Sequence, residues 1–234
     1  MENKASGNGA KKEKLLDRPL KQYTLGEEIF NSVSHGVGAL LAIIGGSVIV
    51  TLAAVFGGAR EITACTIYAV SLFLLYCMST LYHAFPFPRV KRIFRIFDHS
   101  TIFLLIAGTY TPFMLISLKG KTIGLVIFIV VWACAVLGVA LNAISVNKFA
   151  KFSLALYVIM GWSIVWAGKD VLAALSAGGV WLLILGGVFY TGGILFYLAK
   201  KVKYMHSIWH LFVMAGSVLH YFCIVFYVLP RRSL

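Results

Sequence analysis

The chain has 234 residues, of which 60% are hydrophobic and only 12% charged, and its mean hydropathy is +0.90. That excludes an ordinary soluble domain, where about a quarter of residues carry charge. The formal net charge of +13 would suit nucleic acid in a soluble protein, but here it gathers on one membrane face, where anionic headgroups attract it, and no nucleic-acid partner is expected.

In chain order, residues 1–24 are polar, with Gly, Asn and Lys and no apolar run. They read as neither a secretory signal nor a span, and a disordered basic cytoplasmic tail is expected. Residues 25–234 are expected to form one transmembrane domain. A hydrocarbon core ~30 Å thick needs about 20 apolar residues per helix. Seven runs meet that need: 31 to 56, 62 to 84, 97 to 117, 122 to 142, 150 to 168, 178 to 199 and 206 to 228. Their connections are too short to hold a second domain, so the expected fold is an all-α, seven-transmembrane helix bundle. Gly38, Ala42 and Gly46, spaced by four, point to close helix packing in the first span. Pro112 is expected to kink the third helix, which neighbouring helices can accommodate. Cys65, Cys77, Cys134 and Cys223 lie singly within spans and read as small core hydrophobes rather than a disulfide framework or thiolate metal site.

Basic residues are retained on the cytoplasmic side of a membrane. The tail and the loops after the second, fourth and sixth spans hold 15 of the 21 lysines and arginines. The N-terminus is therefore expected inside and the C-terminus outside, in a cell (plasma) membrane. With that orientation, the polar residues within spans can be placed by depth. Glu28, Asn31 and His35 enter the first helix from the cytoplasm, and Ser79 and His83 close the second at the same side. Asp98 opens the third helix there, and His206 and His210 open the seventh.

Ionisable groups inside a membrane are costly, so their convergence at one face reads as a functional site. His206 and His210 are four residues apart and emerge from one helix face, able to share one ion. His83 would add a third nitrogen from another helix. Three neutral imidazoles plus water form an open tetrahedral site of the kind used by catalytic zinc. The run His-Ser-Ile-Trp-His lacks the Glu of the H-E-x-x-H metalloproteases, so a general base must come from elsewhere. Asp98, favoured at a helix N-terminus and kept ionised beside a cation, is the best candidate. Ser79, one turn before His83, could donate a hydrogen bond to the water or to a substrate carbonyl.

Plainer readings compete. A serine in a membrane helix usually bonds back to the carbonyl one turn earlier, here that of Leu75. His220, 14 residues beyond His206, lies ~21 Å deeper and reads as a helix-packing group. His99 is expected on another face of its helix, away from the metal. Glu28, Asn31 and His35 are given a supporting role, hydrogen-bonding the cytoplasmic rim.

The stretches Glu28-x-x-Asn31-x-x-x-His35, Ser79-x-x-x-His83, Phe97-Asp98-His99-Ser100 leading to Ala107-Gly108-Thr109-Tyr110-Thr111-Pro112-Phe113, and His206-x-x-x-His210 together resemble the hemolysin III family. That is the bacterial branch of the progestin and adipoQ receptor superfamily, similar to adiponectin receptors and alkaline ceramidases. The resemblance covers essentially the whole chain after residue 24, with no departure at the motif positions. It implies seven helices with an inward N-terminus, zinc on the residues matching His83, His206 and His210, and the carboxylate matching Asp98 near the water at the zinc. It also ties the family to lipid-amide hydrolysis and, in bacterial members, to control of membrane lipid composition and energetic state.

Three functions compete: a zinc hydrolase acting on membrane lipids, with an acyl chain inside the bundle; a receptor or sensor in which zinc is a structural clamp; and a pore-forming cytolysin. The last is the weakest, because the spans are those of a resident polytopic protein. A retinal protein is excluded, since 206 to 228 contains no lysine for a Schiff base. A carboxylate relay for ion pumping is disfavoured because Asp98 is the only acidic residue well placed in a span.

Overall fold

The structure, a computed structural model, describes residues 23–199 and 201–229. The expected tail, except for Tyr23 and Thr24, lies outside the described residues. Among those described there is no strand, and six helical stretches are long and apolar enough to cross a membrane. The helices are α1 (Leu25–Phe56), α2 (Ala59–Ala84), α3 (Pro88–Pro112), α4 (Thr122–Trp162), α5 (Gly168–Ala174), α6 (Ala177–Leu198) and α7 (Met205–Cys223).

Local chemistry sets the ends that matter for the site. Thr24 caps α1: its Oγ1 accepts from Glu27 N at 3.3 Å, while Glu27 Oε2 accepts from Thr24 N at 2.8 Å. This reciprocal capping box starts the helix at Leu25, six residues before the apolar run. Two prolines separate α2 from α3. Phe85 and Phe87 each precede a proline and are extended, with φ/ψ of -82°/124° and -74°/119°, because the proline ring bars the helical region to the residue before it. Pro88 then opens α3, where a missing N–H costs nothing. So α3 begins nine residues ahead of the expected span, and Arg89, Lys91, Arg92 and Arg95 sit in its first turns rather than in a loop.

At its far end α3 reaches Pro112 and widens into a π-helical turn, Phe113–Ser117. Pro112 cannot donate to the helix ladder, and the π-helical turn begins at the next residue.

The 41 residues of α4 do not run straight. Ser145 is non-helical, at φ -168° and ψ 105°, and its Oγ accepts from Lys148 N at 3.3 Å as an N-cap does. Ser153 Oγ donates to Asn142 Oδ1 at 3.0 Å, although 11 residues of straight helix would hold them ~16 Å apart. The chain therefore doubles back at Ser145. The first leg runs antiparallel to α3, with Trp132 Nε1 donating to Thr111 Oγ1 and Gly138 facing Phe103. The second runs parallel to it, with Tyr157 donating to the His99 carbonyl and Tyr110 to that of Gly161.

The core lies where α2 and α3 press together and where α1 and α7 flank them. On α1, Gly38 admits the Tyr76 ring and Gly46 meets Ala69 of α2. On α3, a Cβ at Gly108 would overlap Ser71 Oγ. Gly108→Ala is expected to destabilise the protein by about 1–3 kcal/mol through overpacking. Thermal unfolding in detergent checks this, and an unchanged midpoint would mean that the two helices can part without cost.

Candidate metal centre

Four helix ends meet at one end of the bundle: the start of α1, the last turn of α2, the N-terminal half of α3 and the start of α7. His83 is buried in the last turn of α2 because the Phe-Pro-Phe-Pro run stops that helix just beyond it. His206 and His210 occupy the first two turns of α7. Ligand atoms of all three lie within 4.8 Å of one another, and all three residues are buried. His206 Nε2 and His210 Nε2 are 3.2 Å apart. Nitrogens bound to zinc at 2.0–2.1 Å in a tetrahedron stand roughly 3.3 Å apart, so that spacing fits a shared ion. His83 Nε2 is buried with no hydrogen-bond partner among the described residues. Its other nitrogen, Nδ1, is 2.6 Å from Glu28 Oε2. A neutral imidazole with one nitrogen donating to a carboxylate presents a lone pair on the other, the arrangement a metal ligand needs. The triad could therefore hold a metal ion.

The remaining candidates fall around this group. Glu28 turns inward to His83 instead of bonding the rim, because Lys91 of α3 draws its second oxygen to 2.8 Å. Asn31 is fully buried; its Oδ1 accepts from Ser207 Oγ at 2.6 Å, and its Nδ2 lies 3.5 Å from His83 Nδ1. His35 stacks on His210 with ring centroids 3.6 Å apart and also lines the adjoining cavity. These contacts set all three residues against the histidines themselves.

Asp98 is not among the converging groups. It lines the cavity beside His206, and its Oδ2 is 3.3 Å from His99 Nδ1. His99 is likewise outside the converging group, and its Nδ1 also reaches the Arg95 carbonyl at 3.0 Å. Ser79 Oγ is buried and makes no hydrogen bond to the Leu75 carbonyl; it stands instead against the Asp98 side chain. The back-bonding expected of a membrane serine does not occur there. His220 has the packing role expected of it, with Nε2 3.0 Å from the Leu183 carbonyl.

Sequence reasoning missed Tyr23 and Lys91. Tyr23 stacks on His206 with centroids 5.0 Å apart and meets His83 edge-on at 5.5 Å. Burial, then the neighbouring Tyr82 and Asp98, push its phenol well above the ordinary tyrosine range, so it stays protonated. Lys91 falls in the loop after the second expected span, among the basic residues expected on the cytoplasmic side. Its signal was its register: it precedes Asp98 by seven residues, two helical turns, and so shares that residue's inward face.

With this geometry in view, the relatives are informative. Residues 23–221, which include every group named in the cluster, match the family described as Haemolysin-III related. The chain belongs to that family. A protein called Hemolysin-3 from Bacillus cereus is 44% identical over 207 residues, 88% of this chain and 94% of its own length. A Hemolysin-3 homolog from Bacillus subtilis (strain 168) is 43% identical over 205 residues, 88% of this chain and 96% of its own. More distantly, the human monocyte to macrophage differentiation factor is 25% identical over 204 residues, 85% of this chain and 83% of its own length. A haemolysin-III related chain with these apolar helices is a membrane protein.

Proposed function

We propose that this protein is a zinc-dependent hydrolase acting on amide bonds of membrane lipids, resident in the plasma membrane and serving membrane lipid and energetic homeostasis. The observation that carries the reading is that His206, one of the three converging imidazoles, lines a long and mostly apolar cavity. His35, Asp98, His99 and His206 line one end of it, and Ile102, Val158 and Val213 are among its apolar walls. Along α7 it extends from His206 to His220, ~21 Å by helical rise, which suits an acyl chain with its polar head beside the histidines.

Zinc bound by His83, His206 and His210 would supply Lewis acidity, polarising a carbonyl and acidifying water. Asp98 accepts a proton from the attacking water, and its carboxylate is oriented by His99. Ser79, whose hydroxyl stands beside the Asp98 carboxylate, donates to the carbonyl oxygen under attack. The apolar walls hold the chain and exclude bulk water from all but the polar end.

Two other readings remain defined by observations. A receptor with zinc as a clamp calls for a fourth protein ligand, and the described His, Cys, Asp and Glu groups offer three in the cluster; this favours the hydrolase. The name Hemolysin-3 carried by the Bacillus relatives motivates a cytolysin reading. The deciding experiment incubates the zinc-loaded protein in liposomes with ceramide-like lipid amides and measures released fatty acid by mass spectrometry, with an erythrocyte lysis assay in parallel. Release establishes the hydrolase; zinc without release favours the clamp; lysis alone favours the cytolysin.

The same reading gives the chain seven crossings, the legs of α4 serving as two, with the N-terminus and the histidine end cytoplasmic and the C-terminus outside. The reversal at Ser145 supports that count. In a cysteine-free background, Lys121→Cys should react with an impermeant maleimide in intact cells and Lys148→Cys only after permeabilisation. The reverse pattern would invert the topology.

A further inference from the structure

Helix α1 supplies none of the three converging imidazoles, yet its first turns touch the supports of all of them. Two adjacent glutamates divide the work. Glu27 Oε1 accepts from Tyr204 N at 2.9 Å, and Tyr204 is a non-glycine residue in the left-handed region at φ 62°, two positions before His206. A strained backbone of that kind persists only when its surroundings fix it, so Glu27 holds the entry of α7 in place. Asn31 then fastens Ser207, the residue after His206, and His35 lies flat on His210.

Glu28 has the most direct position. One carboxylate oxygen is 2.6 Å from His83 Nδ1 and the other 2.8 Å from Lys91 Nζ. The lysine is itself pinned: it donates to the Tyr82 carbonyl at 3.0 Å and lies over the Tyr82 ring at 5.0 Å. The imidazole side chain is fully buried, and the glutamate and lysine side chains are 17% and 11% exposed. A side chain placed only for packing would not need an ion pair in so dry a location, where each unmatched charge is costly.

We propose that Glu28 and Lys91 form a positioning pair for the metal centre: Lys91 anchors the Glu28 carboxylate, and Glu28 fixes both the ring plane and the tautomer of His83 so that Nε2 faces the ion. The inference rests on the metal reading above and adds to it two residues that bind neither ion nor substrate. Partners of this kind typically alter metal affinity by about 10–100-fold when removed. Lys91 acts through Glu28, so its loss has a smaller effect in the same direction. Arginine at 91 retains charge and donors and restores much of the affinity.

The test is zinc affinity by competition with a chromogenic chelator on the full-length protein in detergent, for wild type, Glu28→Gln, Lys91→Met and Lys91→Arg. Thermal midpoints are measured with and without added zinc. The expected result is a zinc dissociation constant raised about 10–100-fold in Glu28→Gln, raised less in Lys91→Met and near wild type in Lys91→Arg. The zinc-dependent gain in midpoint should shrink in that order while the zinc-free midpoints stay close together. Wild-type affinity in both Glu28→Gln and Lys91→Met overturns the pair, as does a loss confined to the zinc-free midpoint, which marks a packing role. A wild type that binds no zinc overturns the metal centre itself and this inference with it.

Discussion

Detergent-purified protein is expected to carry about one zinc per chain, and His83→Ala, His206→Ala and His210→Ala are each expected to lose it. The three imidazoles come from two helices that are far apart in sequence, so a shared ion ties the last turn of α2 to the first turns of α7. Removing any one leaves at most two protein nitrogens, fewer than either a structural or a catalytic zinc site uses. An ion bound only by the folded state contributes stability by mass action, about 4 kcal/mol when its free concentration is 1,000 times the dissociation constant. The alanine variants should therefore unfold at the temperature of the chelator-treated wild type, and added zinc should not raise it. Mass-spectrometric metal analysis of matched preparations is the direct check. Stoichiometric zinc in any one variant removes that residue from the ligand set, and metal-free, folded wild type removes the hydrolase and clamp readings together.

The histidine arrangement was legible because helical rise and spacing place side chains by depth. His206 and His210 share a face whatever surrounds them, and the positive-inside argument put His83 and Asp98 at the same end. What sequence could not supply was the partner of each polar group. Glu28 and Lys91 are 63 residues apart, and nothing local says that a lysine in a basic first turn will bury itself against a glutamate on another helix. Tyr23 was lost for a related reason: it stands at the edge of a polar tail, and only the fold shows that it covers His206 and His83. The helix starts were misjudged where polar residues open a helix ahead of its apolar run, at Leu25 and at Pro88. There, capping and proline chemistry decide the start and hydropathy does not. The reversal in α4 left a clearer mark, a pair of basic residues, Lys148 and Lys151, between two apolar runs.

Asp98→Asn is expected to keep zinc and lose lipid-amide hydrolysis. The side chain is nearly isosteric, and Asp98 is outside the group of converging nitrogens, so the ion should remain. Its role in the proposed reaction is as proton acceptor. His99 engages Oδ2 at 3.3 Å and the Ser79 hydroxyl stands beside the same carboxylate, whose two oxygens have lone pairs enough to take a proton from water as well. An amide at the same place cannot accept it, and loss of a positioned general base typically costs about 10²–10⁴-fold in rate. Ser79→Ala should be milder: it removes one donor beside the carbonyl oxygen and the Asp98 carboxylate while leaving the carboxylate and the ligands in place. The pair separates the two catalytic roles from structural ones if zinc content and thermal midpoint are measured on the same samples. Unchanged turnover in Asp98→Asn, with zinc retained, would reject the general-base assignment and move the search to His99, which engages the same carboxylate. Lost turnover together with lost zinc would instead make Asp98 a support of the ion, which favours the clamp.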